Sequence, residues 1–584
     1  MRLFVSYFFD IYRIYIMKKN KTSNLFTIDN TLFITLMLLG VTSYIMPFKN
    51  FIQVNTFSIV LFSIFLFYKY PLKISSKGIL ISCCLGLLFW TAICDYTNNC
   101  FSEYLWIYYA AIFLVFIYST SIRIRIIDYS IVCSIISLIS GTIFLIENEP
   151  TSYHVAILAI QIVATPCSLF LTILYHRIKQ YPAFSLFALI LVFNLILIVL
   201  SESRASWISL ILSFSILFIH KTKIKHHNYK LLLAILCIVA ILLCSYFYYL
   251  KPDSVKGRLL IYNTCLKLFQ ESPLTGLGSF GFFREYMFQQ KDFLEVSSIE
   301  NFQELADNVY RPFNIVLSVI VKYGIVGLIF IICIIKIIYN NIIKSLLTNT
   351  LKGYLTFSII TSLLVFSLFS YPFEYPTTII LFLFACGLCM KHRKNNNTYT
   401  IPSYVKHLLA IIFIVFSFVQ ISSEYLWYKN QKTLEENNSE STIKKYADIY
   451  RILKHNPDFL YNYAVELNYL ELYAESNQIL AELTPFVNDY NTELLWGDNY
   501  YGLREYDNAE KHFTTAKGMI PTRFMPLLGL LKIYAETSPE KADSISHIID
   551  EKTMKVHSED AVRVKKIALR WLNFQNLDYG RINN

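Results

Sequence analysis

A chain of 584 residues that is 55% hydrophobic and only 16% charged, with a mean hydropathy of +0.45, cannot be one water-soluble domain, because so little polar surface would not cover so large a core. The formal charge of +11 points to nucleic acid only until it is divided along the chain. Residues 1–424 hold 33 Lys and Arg against 18 Asp and Glu, whereas 425–584 hold 19 against 23. The basic excess therefore belongs to the apolar part, where it reads as membrane topology, and no nucleic-acid partner is expected.

Residues 1–16, MRLFVSYFFDIYRIYI, are too short and too often charged to span a bilayer, and they lack the small-residue site of a cleaved signal. Met17, followed by KKNK, is an equally sensible start, so the stretch is either an interfacial helix or an artefact of start-site choice. Apolar runs of crossing length, roughly 17 to 25 residues, then recur. Thirteen are expected, near 28–47, 52–70, 78–94, 103–120, 126–146, 153–175, 182–200, 205–220, 230–250, 323–341, 353–371, 375–390 and 406–423. Basic residues cluster in alternate loops, for example Lys69, Lys73 and Lys77, or Lys391, Arg393 and Lys394, while the short loops between them hold only Lys49. Because Lys and Arg resist translocation, the clustered loops are cytoplasmic. The N-terminus is then inside, and the loop 251–311, the segment 201–207 and everything after Glu424 lie outside. Most of the twelve cysteines fall in the expected spans and the tail has none, which argues against a disulfide scaffold and a zinc domain. Cys94 and Cys100 flank a short outer loop and could pair in an oxidising compartment, though free thiols are the more expected state, and Cys386 and Cys389 read as small apolar residues.

The segment SESRASW, 201–207, sits between an uncharged run, AFSLFALILVFNLILIVL, and another apolar run, with almost no loop to hold Glu202 and Arg204. Taken alone, such an arginine is a snorkelling anchor. Apolar spacing in GRLLIYNTCLKLF predicts an amphipathic helix opening near Arg258 and ending before Pro273, Gly276, Gly278 and Gly281 force turns. GLGSFG has the look of a phosphate loop, but no strand precedes it and no Lys-Ser/Thr follows, so a nucleotide reading is weak. Residues 307–328, DNVYRPFNIVLSVIVKYGIVGL, read as a second helix leading into the tenth crossing at Gly324. Seven basic residues face eight acidic ones between Lys251 and Arg311, so selected residues, not bulk potential, would have to bind an anion.

The tail repeats. Gly497, Tyr500, Ala509, Phe513, Ala516 and Pro521 stand at the spacing of a tetratricopeptide unit, a helix pair of about 34 residues. Ala464, Leu467, Ser476, Leu480 and Leu483 form a matching set upstream, and Gly529, Tyr534 and Ala542 a degenerate one downstream. Three such units suffice for a small solenoid, which binds peptides or partner domains far more often than it catalyses.

Together, SxSRxxW at a span's outer edge, an arginine opening an apolar helix before PLxGxGxxxF, and an N..L...V..GI.GL segment resemble the O-antigen ligase and O-antigen polymerase superfamily of integral membrane glycosyltransferases. The motifs cover about 180–340, and the tail is similar to that of ligase-like members with C-terminal tetratricopeptide domains. The resemblance implies an all-α, GT-C-like polytopic bundle over 1–424, with a helical outer loop over 251–311 and a repeat domain over 425–584, set in the inner membrane. It implies a donor glycan on undecaprenyl diphosphate, an acceptor hydroxyl on lipid A-core, a growing polysaccharide or a protein, inversion at the anomeric carbon, and no metal or other cofactor. Arg204 and Arg258 match the two arginines that contact the diphosphate. Arg284 and Arg311 are candidates for further phosphate or sugar contacts, Trp207, Tyr262, Phe280 and Tyr310 for stacking on sugars, and Asn314 for substrate binding. The family segment usually begins His-Asn, the His activating the acceptor, but here the pair is Phe313-Asn314. Either another group takes the proton, with Asp307 the nearest ionisable candidate, or diphosphate stabilisation carries the reaction, or the protein is catalytically silent. A lipid-linked-sugar transporter is the other class considered; it would ordinarily show two similar halves and ionisable residues deep in its spans, and the sequence shows neither.

Overall fold

The computed structural model describes residues 73–75, 78–121, 124–146, 154–222, 252–296, 300–347, 351–389, 398–400, 402–434, 439–555 and 557–582. These are almost wholly helical. The first group comprises α1 (Gly78–Thr97), α2 (Glu103–Ser121), α3 (Ile126–Ile146), α4 (His154–Arg177), α5 (Tyr181–Leu200) and α6 (Arg204–Thr222). Next come α7 (Pro252–Glu271), α8 (Gly281–Val296), α9 (Glu300–Leu305), α10 (Ile315–Leu347), α11 (Leu351–Ser367), α12 (Pro376–Cys389) and α13 (Ser403–Leu434). Of the thirteen expected crossings, those near 28–47, 52–70 and 230–250 lie outside the described residues, and each of the others falls on a helix. Among the described residues, five helices, α1, α3, α4, α5 and α10, are long and apolar enough to cross a membrane.

Surface and interior have the polarity expected in lipid. α5 exposes Leu189, Val192, Ile196 and Val199, and α13 exposes Leu408, Ile411, Val415 and Phe418. The interface of α3 with α4 instead buries Ser130, Ser134, Ser137, Gln161, Thr165 and Ser168. Small residues let the backbones approach, and each hydroxyl finds a carbonyl or another hydroxyl, as where Ser134 Oγ meets Ser168 Oγ at 3.1 Å. At one end of the bundle, strand β1 (Lys73–Ser75) pairs antiparallel with β2 (Thr398–Thr400), so the loops expected to be cytoplasmic near 73 and 398 lie on the same side.

At the other end, segments distant in sequence are tied together by hydrogen bonds. α10 is two helices merged across Gly324, whose φ of 63° and ψ of −165° are open only to glycine. The break leaves carbonyls of the preceding turn without intrahelical partners, and backbone polar groups at membrane depth must be satisfied. The turn 273–278 answers it: Leu277 N donates to Val321 O and Gly278 N to Lys322 O, both at 2.9 Å, while Trp90 Nε1 donates to Tyr323 O at 2.9 Å. In return Ile325 N donates to Pro273 O at 2.9 Å. Within GLGSFG the amides of Leu277 and Gly278 are thus engaged by helix carbonyls, and that of Ser279 by the Asp95 carboxylate.

The structure corrects several expectations. α7 opens at Pro252, six residues before Arg258, and 307–312 carry no regular structure, the helix beginning only at Ile315. α13 runs unbroken past Glu424, so the bundle passes into the tail through a continuous helix. Cys94 and Cys100 are free thiols, the more expected of their two states, with the first donating to Thr275 O at 2.9 Å.

Beyond α14 (Ser439–Leu453) the tail forms successive helix pairs: α15 (Pro457–Tyr469) with α16 (Tyr473–Leu483), α17 (Tyr490–Gly502) with α18 (Tyr506–Met519), and α19 (Met525–Thr537) with α20 (Pro539–Glu551), closed by α21 (Glu559–Ile582). Asn456 and Asp489 cap α15 and α17, Asp489 in a capping box with Thr492.

Gly324→Ala should be severely destabilising, since the new Cβ would lie 2.2 Å from Leu274 O in a conformation that alone costs about 1–3 kcal/mol for a non-glycine residue. Thermal unfolding of the detergent-purified variant should show a midpoint several degrees below wild type, or little folded protein.

Candidate functional site

The turn before α6 is closed by its own serines. Ser206 Oγ lies 2.8 Å from Ser203 Oγ, and Glu202 takes a left-handed φ of 50°, so α6 starts abruptly at Arg204 with no slack in the loop. Arg204 is half-buried. Trp207, also half-buried, follows three residues later on the same helix face.

Arg258 stands in the second turn of α7, half-buried, with its Cζ 5.9 Å from the centroid of the Phe313 ring. Among the described residues it has no carboxylate partner. Burial first, and then the positive charge of Arg204, push its pKa down, with Tyr262 opposing. The two arginines are therefore electrostatic neighbours at one end of the bundle, and guanidinium is basic enough to stay charged there.

Phe313 is held in a left-handed φ of 53°, rare for a bulky residue and costing of order 1–3 kcal/mol. Its ring meets Arg258 and packs edge-on against Tyr371 at 5.3 Å. Asn314 is committed to structure: its Oδ1 accepts from Val316 N at 2.8 Å and Leu317 N at 3.2 Å, capping α10, and its Nδ2 donates to Leu368 O at 3.1 Å.

Arg311 lies 4.7 Å above the Tyr371 ring and pairs through Nε with Glu374 Oε2. Burial opposes the Arg311 charge, but Glu374 outweighs it and raises the pKa. Lys322 Nζ lies 4.0 Å from Glu374 Oε1. Two cavities open beside these groups. One, of about 300 Å³, is lined by Gly257, Asp307, Tyr310, Arg311, Phe313 and Tyr371 among others; the second, of about 140 Å³, by Phe313, Asn314, Lys322, Tyr371 and Glu374 among others.

The structure thus brings Arg258, Tyr310, Arg311 and Asn314 around Phe313, with Arg204 an electrostatic neighbour of Arg258 and Asp307 on the larger cavity. Asp307 is exposed and paired with Arg523 at 3.1 Å. Tyr310 OH accepts from Asn308 Nδ2 at 2.9 Å, and burial followed by Asp489, Asp307 and Asp458 lifts its phenol to about 12. Arg284 stays apart: it donates to Glu285 at 2.7 Å and to Asn98 O at 3.0 Å, tying α8 to the corner between α1 and α2. That corner also carries Asp95, a fully buried carboxylate that accepts from Ser279 N at 2.6 Å and Ser279 Oγ at 2.9 Å, anchoring the glycine turn. Phe280 packs edge-on against Phe486 of the tail at 5.2 Å. Glu374, Tyr371 and Asp95 were not singled out from sequence. The signal available was a carboxylate between prolines, YPFEYP, in a short loop between two apolar helices.

The tail packs against this same loop. Gln290 Nε2 donates to Met519 O at 2.9 Å, Lys555 Nζ to Glu304 O at 2.6 Å, and Asn308 Nδ2 to Asp489 Oδ2 at 2.8 Å. Ile261, Cys265, Phe282 and Tyr286 share one apolar cluster with Tyr490, Ala516 and Met519. This face of the tail's helix pairs is occupied by the chain's own loop.

With that geometry in view, residues 186–332 match the family model described as O-antigen ligase. The match, about a quarter of the chain, takes in Arg204, Arg258 and Phe313 but neither Glu374 nor the repeats. It supports the O-antigen ligase superfamily and, in general terms, a membrane glycan-transfer role. The search of curated proteins returned no match.

Gln290→Leu should loosen the loop from the tail, because it strands buried Met519 O and the Tyr286 hydroxyl, each worth about 1–3 kcal/mol when left unpaired. Limited proteolysis should cut the loop 252–311 faster in the variant, with total expression little changed.

Proposed function

We propose that the protein is an inner-membrane glycosyltransferase that moves a glycan from undecaprenyl diphosphate to an acceptor hydroxyl at the outer face. The observation that carries this reading is Arg258: a half-buried cation with no acidic partner among the described residues, its charge opposed by burial and by Arg204. A dianionic group between the two guanidinium groups would relieve both penalties at once. Rupture of the anomeric C–O bond leaves charge on the diphosphate, and forked, permanently charged donors suit its stabilisation. Arg204 and Arg258 hold the leaving group, Arg311 and Tyr310 border the sugar path, and the loop 252–311 with the tetratricopeptide-like tail behind it forms the outer wall. The N-terminus is cytoplasmic and the tail periplasmic. The acceptor is a lipid A-core, a growing polysaccharide or a protein side chain.

Phe313 favours one competitor, a catalytically silent scaffold, since a phenyl ring takes no proton. A transporter is the other, and it is separated by where donor accumulates: inside after loss of transport, outside after loss of transfer.

Arg204→Ala and Arg258→Ala should each lower glycan transfer by about 10²–10³-fold or more, with protein level unchanged, and Phe313→Ala should be milder. Surface glycan in a complemented deletion strain, together with release of undecaprenyl diphosphate by purified protein, measures this. Normal glycan from both arginine variants would overturn the reading.

A further inference from the structure

The geometry points to Glu374 as the group that receives the acceptor's proton, in the place where a phenylalanine leaves none; this rests on the glycan-transfer reading above. Glu374 lies on the loop between α11 and α12, in sequence more than fifty residues beyond Phe313, and its carboxylate lines the same cavity of about 140 Å³ as Phe313 and Asn314. Contacts run unbroken from the diphosphate arginine to it: Arg258 over Phe313, Phe313 edge-on to Tyr371, Arg311 over Tyr371, and Arg311 paired with Glu374.

Its two oxygens are not equivalent. Oε2 is taken by Arg311 Nε, whereas Lys322 Nζ stands 4.0 Å from Oε1, beyond hydrogen-bond reach. An ionised carboxylate has about four acceptor positions, so Oε1 retains capacity for an incoming hydroxyl. The carboxylate is also held in place. Pro372–Glu374 is a single 3-10 turn, and Thr378 Oγ1 ties it down by donating to Pro372 O and, at 2.8 Å, to Tyr375 O. Asp307, also near Phe313, is exposed, lies on the larger cavity and pairs with Arg523 of the tail.

Arg311 and Lys322 flank the carboxylate, and the reaction does not call for a strong base. As the acceptor oxygen bonds to the anomeric carbon, the C–O bond to the diphosphate breaks and its electron pair leaves on the phosphate oxygen. The acceptor oxygen then carries positive charge, its proton becomes strongly acidic, and an oriented carboxylate takes it. Water later removes that proton and restores the carboxylate.

The test uses full-length purified protein, undecaprenyl diphosphate as the binding probe, and transfer from extracted lipid-linked glycan as turnover. Glu374→Gln keeps the shape and an acceptor for Arg311. It should bind undecaprenyl diphosphate within about twofold of wild type yet lose transfer by about 10²-fold or more, with Glu374→Asp recovering part of the rate. Arg258→Ala should lose the binding itself. Transfer by Glu374→Gln within about threefold of wild type, or a larger loss in Asp307→Asn than in Glu374→Gln, would overturn the assignment and leave the glycan-transfer reading standing. Normal binding and transfer by Arg258→Ala would instead sink that reading.

Discussion

Where α10 breaks at Gly324, its unpaired carbonyls at the membrane edge have to find donors, and the way they do so fixes everything built on that end of the bundle. Leu277 N, Gly278 N and Trp90 Nε1 take up Val321 O, Lys322 O and Tyr323 O. One interaction set thereby locks the turn after α7, the first half of α10 and the end of α1 into a single piece. Asp95 reinforces it by accepting from both donors of Ser279. α7 leads directly into this turn and the first half of α10 leads up to the break, so Arg258 and Phe313 are both referred to the same fixed point.

On that base the charges separate into two kinds. Arg311, Arg284 and Arg523 are matched by Glu374, Glu285 and Asp307, and serve to place loops. Arg258, among the described residues, has no carboxylate partner; it has the Phe313 ring face and Tyr262 beside it and the field of Arg204 against it. A fold that keeps an uncompensated guanidinium half-buried, beside a phenylalanine in a left-handed conformation, concentrates strain and charge at one spot. Such spots are where proteins hold ligands. The tail adds to this by packing on the loop through Gln290, Lys555 and a shared apolar cluster.

The sequence alone determined the class of the molecule and its local elements. Uncharged runs bounded by clustered Lys and Arg mark helices at a bilayer, small and large residues alternating at fixed spacing mark the helix pairs of the tail, and SESRASW marks an arginine at a helix edge. These properties depend on near neighbours in the chain, so periodicity and composition carry them. Tertiary structure decided what the motifs are for. GLGSFG partners a helix break some forty residues away, Asn314 caps α10, and Arg284 ties α8 to the corner after α1. Glu374 entered the site only because α11 and α12 return the chain beside Arg311, and no spacing rule links residues 311 and 374. Hydrogen-bond satisfaction and charge pairing are settled between segments distant in sequence, and only the folded chain brings those segments together.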